Sequence, residues 1–263
     1  GGVSITKLFM AGIFPGVLLA VSLWFTWWYL VRKEVVTPPP RKSAGEVISA
    51  LKDATWALVL PLIIIFGLKF GVFTPTEAAV VAAVYAILIS LFVYKELNFK
   101  KLVPLFVNSA KTSAIVMFLV AAAMVSAWLI TVANLPAQVV TLLEPLLSSP
   151  RLLMLAIMVL TMIVGTALDM TPTILLLTPV LMPVVKAAGI DPVYFGVLFI
   201  INNAIGLITP PVGTVLNAVA GVGKVSMDEV TKGVIPFMIA QFAIMFLMVL
   251  FPQIVLVPAR WFY

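Results

Sequence analysis

Long apolar runs of about 18 residues or more, separated by short polar gaps, set the pattern of this chain. The first covers Leu8 to Leu30 and closes on Trp24, Trp27, Trp28 and Tyr29, aromatics of the kind that gather at a membrane–water boundary. A polar stretch follows over residues 32–55, with Arg32, Lys33, Pro38, Pro39, Pro40, Arg41, Lys42 and Lys52 and a surface helix expected near Glu46 to Asp53. Trp56 to Phe70 predicts the next span, and Gly71-Val72-Phe73 predicts a turn into a helix over Ala78 to Tyr94. Leu102 to Thr131 predicts a long helix, and Pro136 to Leu147 a short amphipathic one lying at the interface. Arg151 to Val164 and Pro172 to Val185 predict two short apolar helices around a polar break at Gly165 to Thr171. The segment from Asp191 is interrupted in turn by Asn202, Asn203, Gly206 and Thr209-Pro210-Pro211, and residues 233–257 hold the final span.

None of the runs alternates, so the spanning segments are helices: lipid satisfies no backbone polar group, and only helices or closed barrels cross it. Composition agrees, with 63% hydrophobic and 10% charged residues, against roughly 25% charged in soluble domains. The net charge of +6 does not point to nucleic acid, because the basic residues lie mainly in the gaps. Three gaps, at 32–55, 95–101 and 224–232, hold about twice as many Lys and Arg as the remaining gaps, and the positive-inside bias makes them cytoplasmic. Residues 151–187 then form a re-entrant hairpin from the outer side, and the last span ends outside.

An internal echo supports that topology. Val3-Ser4 precedes Gly12-Ile13-Phe14-Pro15, and Val225-Ser226 precedes Gly233-Val234-Ile235-Pro236, each followed by a long apolar run. The first copy runs inward and the second outward, which predicts inverted repeats of the secondary-transporter type. On that reading, residues 1–31 are the last helix of a first repeat, and the chain is the C-terminal part of a larger protein.

The absence of Cys and His removes disulfides, thiol catalysis and the usual zinc sites. No metalloprotease helix or phosphate-binding loop is present, and Asp169 has no intramembrane carboxylate partner, so no enzyme chemistry is expected. Chemistry concentrates instead at the two breaks. The first offers Gly165, Thr166, Asp169 and Thr171. A carboxylate in hydrocarbon costs about 2.5–3.5 kcal/mol on insertion scales, so Asp169 either lines an ion or substrate cavity or caps the following helix, with Thr171 as an alternative cap. The second offers Asn202, Gly206, Ile208, Thr209, Pro210 and Gly213; consecutive prolines there end helix hydrogen bonding. Two neighbouring breaks rich in Thr and Asn suggest a sodium site of neutral oxygens, against the plainer reading of two structural kinks. Glu77 reads as structural, since Thr74-Pro75-Thr76-Glu77 makes a capping box; Lys111 snorkels or faces a polar groove.

Phe73-Thr74-Pro75-Thr76-Glu77-Ala78-Ala79, Gly165 to Pro172, Gly189-Ile190-Asp191-Pro192, and Asn202-x-x-x-Gly206-x-x-Thr209-Pro210-Pro211-x-Gly213 together resemble the large membrane subunit of tripartite ATP-independent periplasmic (TRAP) transporters. The resemblance covers nearly the whole chain. It implies an all-α polytopic elevator-type transporter, with scaffold helices and an interfacial arm over 56–148. It also implies a transport domain over 151–223, made of the hairpin 151–187 and a broken helix 191–223. It further implies sodium-driven uptake of a small organic anion such as a C4-dicarboxylate or sugar acid, with sodium as the coupling ion and no other cofactor. The implied setting is the bacterial inner membrane, the implied partners a small membrane subunit and a periplasmic substrate-binding protein. A one-component sodium–dicarboxylate carrier, a channel and a structural anchor are the alternatives.

Overall fold

The computed structural model describes residues 1–32, 40–210 and 213–261. Lys33, Pro38, Pro39, Pro211, Phe262 and Tyr263 therefore lie outside the described residues. Seven helices among those described are long and apolar enough to cross a membrane. The chain divides into two compact units, Gly1–Lys33 with Ile115–Phe262, and Glu34–Ala114.

In the smaller unit, α2 (Ala44–Lys69) and α3 (Pro75–Leu88) form a helical hairpin. Both begin on complete capping boxes, Ser43 with Glu46 and Thr74 with Glu77. The first explains why the expected 32–55 loop is helical from Ala44: the Ser43 box starts one continuous helix rather than a separate surface piece. A π-helical turn over Ile89–Val93 extends α3. Tyr85 donates its hydroxyl to the Trp56 carbonyl and Tyr94 to that of Asp53, each at 2.8 Å, tying the two helices antiparallel. Gly71, at φ +67°, ends α2 in the left-handed region that suits glycine. Just before it, a methyl group at Gly67 would stand 2.3 Å from the Phe73 ring. Gly67→Ala is thus expected to cost about 1–3 kcal/mol by overpacking, read as a lowered melting temperature in detergent; an unchanged value would remove Phe73 from the turn.

The helix α4 (Phe99–Val132) is followed by α5 (Leu135–Leu142) and α6 (Glu144–Leu147), one broken piece where a single amphipathic helix was expected. The larger unit is built around α9 (Pro192–Gly206), nearly apolar on every side, whose Tyr194, Phe195, Leu198, Phe199 and Ile205 are buried. Such a helix belongs in a core. Around it pack α7 (Pro150–Ala167), α8 (Met170–Ala187), α11 (Met227–Leu250) and α1 (Ile5–Val31), with α12 (Gln253–Ala259) against α1. Leu153, Ile157 and Met158 of α7, Val184 and Val185 of α8, and Met245 and Met248 of α11 complete that core.

Directions follow from a few contacts. Tyr194, in the first turn of α9, donates to the Met248 carbonyl near the end of α11 at 2.9 Å. Two residues on, Gly196 faces Leu8 near the start of α1, whose side chain would stand 2.7 Å from a methyl group placed there. So α1 begins where α11 ends, and the two, which pack on each other, run antiparallel. Their Ser4 and Ser226 residues cap the two helices, and Pro15 and Pro236 sit inside them. The Val-Ser and Gly-x-x-Pro echo thus marks equivalent places on oppositely directed helices. At the same end, Arg151, Ile190, Asp191, Tyr194 and Val249 line a cavity of about 170 Å³. The start of α7, the turn leaving α8 and the start of α9 therefore meet there.

Candidate functional site

The far end of α7 meets the far end of α9. Each expected break is shorter than the sequence suggests. Only Leu168 and Asp169 separate α7 from α8, so Gly165 and Thr166 sit in the last turn of α7 and Thr171 in the first turn of α8. Likewise Asn202 and Gly206 are still helical; the chain leaves the helix over residues 207–210, and α10 (Thr214–Gly223) starts after Gly213. Local hydrogen bonding explains the extensions. Thr166 donates to the Ile163 carbonyl at 2.8 Å, and Leu168 N–H still reaches Val164. Thr209, 9% exposed, donates its hydroxyl to the Ile205 carbonyl at 2.7 Å. Beyond it Pro210 has no N–H to give. Gly213, at φ +47°, restarts the helix, and the Val215 N–H returns to the Leu207 carbonyl.

The joint between the two helices is glycine on glycine. A methyl group at Gly206 would stand 2.9 Å from the Gly165 carbonyl carbon and 3.0 Å from its oxygen. The reverse is not true: a methyl group at Gly165 would meet Gly206 Cα at 3.5 Å and the Asn203 Oδ1 at 3.9 Å, ordinary contacts. Only glycine at 206 lets the backbones approach this closely.

Beside this joint lie two buried amides. Asn202 is fully buried and Asn203 is 1% exposed. Asn202 donates through Nδ2 to the Met158 carbonyl at 2.8 Å and to Thr161 Oγ1, both on α7. Asn203 donates through Nδ2 to the Phe199 carbonyl at 2.7 Å. Carbonyl oxygens only accept, so neither amide can be turned over. Each Oδ1 is therefore left buried without a partner. An unsatisfied buried acceptor costs about 1–3 kcal/mol, and native proteins retain few of them. Two on consecutive residues, beside a helix break, are acceptors open to a group that supplies positive charge or a donor.

Asp169 plays a different part. It is exposed, its carboxylate accepts from the Met170 N–H at 3.0 Å, and its carbonyl accepts the Thr173 hydroxyl at 2.8 Å. These are the contacts of the α8 N-cap, the second of the two roles open to it. Ile208 and Pro210 are half-buried in the unwound stretch. Among the described residues no three His, Cys, Asp or Glu side chains converge, and the buried side chains beside the joint, Thr161, Asn202 and Asn203, carry neutral oxygens.

Thr161, which the structure places beside the joint, was not singled out in the sequence, and Asn203 was named only as part of the second break. Thr161 is fully buried and donates to the Ile157 carbonyl at 2.9 Å while accepting from Asn202. Its signal was available: it lies one turn before Gly165, on the same face of α7. The Asn doublet was equally visible, an expensive pair inside an otherwise apolar helix.

The family profile described as "Tripartite ATP-independent periplasmic transporter, DctM component" matches residues 1–254. The chain belongs to this family. It is a multi-pass protein of the inner membrane, and its relatives are transporter permeases. The chain is 49% identical over 260 residues to the 2,3-diketo-L-gulonate TRAP transporter large permease protein YiaN of Escherichia coli, covering 99% of this chain and 61% of that one. It is 36% identical to the sialic acid TRAP transporter large permease protein SiaM of Vibrio cholerae, covering 96% and 59%. Its identity to the C4-dicarboxylate TRAP transporter large permease protein DctM of Pseudomonas aeruginosa is 32%, covering 98% and 60%. The chain thus spans about three fifths of the length of these curated relatives.

Proposed function

We propose that the permease forms part of a sodium-coupled transporter for a small organic anion, with the coupling ion held at the α7–α9 joint. The observation that carries this reading is the pair of buried, partnerless Oδ1 atoms of Asn202 and Asn203. Sodium is a hard cation satisfied by neutral oxygens, and unwound carbonyls at broken membrane helices are where secondary transporters hold it. In this reading Asn203 supplies an amide oxygen, Asn202 is both ligand and clip to α7, and carbonyls near Gly165 and Ile208 complete the shell. Gly206 keeps the two backbones close enough to share one ion. The anion class follows from the relatives, whose names specify diketogulonate, sialic acid and a C4-dicarboxylate, all carboxylates. Delivery by a periplasmic binding protein, a small membrane subunit as companion, and elevator movement of the 151–223 segment belong to the same proposal.

Thr161 makes a first test. Thr161→Val removes the hydroxyl that accepts from Asn202 while keeping the side-chain volume close. Sodium for half-maximal uptake in proteoliposomes of the assembled transporter is expected to rise about threefold to tenfold, as expected when one hydrogen bond of about 1 kcal/mol positions a ligand. No change would detach Asn202 from the ion. Topology gives a second. Because the start of α7 and the turn after α8 share one end of the fold, Arg151→Cys and Lys186→Cys in this cysteine-free chain should both react with an impermeant maleimide from the outer side. Labelling from opposite sides would end the re-entrant reading.

A further inference from the structure

A groove of about 660 Å³ runs between α4 and α8, away from the joint. Val120, Ala123, Met124 and Ala127 line it from one face of α4; Thr178, Met182 and Lys186, one turn apart each, line it from α8, whose contribution begins at Ile174. Gly1 borders one side. Its α8 wall, from Ile174 to Lys186, is about 18 Å long at 1.5 Å per residue, and its α4 wall, from Val120 to Ala127, about 10 Å. The α8 wall is close to one leaflet of hydrocarbon, about 15 Å.

Its chemistry is divided along that length. The body is apolar, with small Ala123 and Ala127 on α4 leaving the space open. Lys186 stands at one end, exposed, in the last turn of α8, just before the turn whose Gly189, Ile190 and Asp191 share the smaller cavity with Arg151. That end is the membrane surface on any topology in which the hairpin returns to its own side. The ion pairs among the described residues are Lys42 with Glu46 and Lys232 with Asp228; Lys186 is in neither.

We propose that this groove binds an anionic glycerophospholipid, with one acyl chain along the α4–α8 cleft and its phosphate at Lys186. The length of the α8 wall, the apolar body and an exposed lysine at one end match that one molecule. A soluble anion would need no 18 Å apolar cleft, and a neutral lipid would need no lysine at its mouth. The inference rests on the groove and on the re-entrant reading of the hairpin, and stands or falls independently of the sodium site.

The test uses the permease in phosphatidylcholine vesicles containing trace phosphatidylglycerol with a photoactivatable acyl chain, and cross-linked peptides mapped by mass spectrometry. Labelling is expected to concentrate on residues 120–127 and 174–186. Lys186→Gln, an exposed change that should leave expression and melting temperature unaltered, is expected to lower it about fivefold, the effect of one lysine on an anionic lipid. Ala123→Phe, which fills the cleft, should abolish it, and inorganic phosphate should not compete. The proposal is overturned if the matching phosphatidylcholine probe labels the groove equally, if Lys186→Gln changes nothing, or if free phosphate competes. It is also overturned if the groove labels no more densely than the opposite face of α4, as it would with a polypeptide segment seated there.

Discussion

Gly206→Ala is expected to reduce transport by at least about tenfold, while Gly165→Ala is expected to leave most of it. The two glycines face each other, yet the geometry is lopsided. A methyl group at 206 strikes the Gly165 backbone at 2.9–3.0 Å, whereas one at 165 finds 3.5 Å of ordinary contact. Backbone cannot swing aside as a side chain does, so the helix ends must separate. Overpacking of this kind costs about 1–3 kcal/mol, and 1.4 kcal/mol is already a factor of ten in an equilibrium. Uptake by the assembled transporter in proteoliposomes, normalised to inserted protein, measures both variants. Equal loss in the two, or none in Gly206→Ala, would remove the joint from the mechanism.

Asn203→Leu is expected to act with opposite signs on fold and function. Leu is close in shape and carries no polar atom. The Phe199 carbonyl that Asn203 Nδ2 reaches lies one turn back in the same helix, where the helical backbone already offers it an N–H. Removing the partnerless Oδ1 should therefore stabilise the sodium-free protein, by up to about 1–3 kcal/mol. The same change should raise the sodium needed for uptake by about tenfold or more, or abolish uptake. If Asn203 served only the fold, the substitution would lower the melting temperature in sodium-free buffer and leave sodium activation alone.

The helices were legible in the sequence because lipid enforces long unbroken apolar runs. Their ends were not, for a local reason. Ser43 with Glu46, and Ser226 with Glu229, each make a capping box, and starting α2 and α11 there moves both starts outward from the apolar runs. The breaks were over-read for a similar reason: Thr166 lies inside the last turn of α7 and Asn202 and Gly206 inside α9, while Thr209, beyond the end of α9, turns its hydroxyl back onto the Ile205 carbonyl. Asp169 drew attention as an isolated carboxylate, yet its contacts are those of an exposed cap. The Asn doublet drew less, because its significance depends on which amide atoms are left without partners. That is a three-dimensional fact, as is the closeness of Gly165 and Gly206, residues 41 positions apart in number. The antiparallel relation of α1 and α11 was the reverse case, foreshadowed by a repeated dipeptide and a repeated proline.

The central claim is that sodium occupies the α7–α9 joint, and equilibrium binding of radioactive sodium to the purified permease tests it most directly. Saturable binding is expected, displaced by unlabelled sodium and not by potassium, and lost when Asn202 and Asn203 are both replaced by Leu, with Asp169→Asn leaving it largely intact. Saturable binding that survives the double Asn replacement, or that potassium displaces equally, would contradict the assignment.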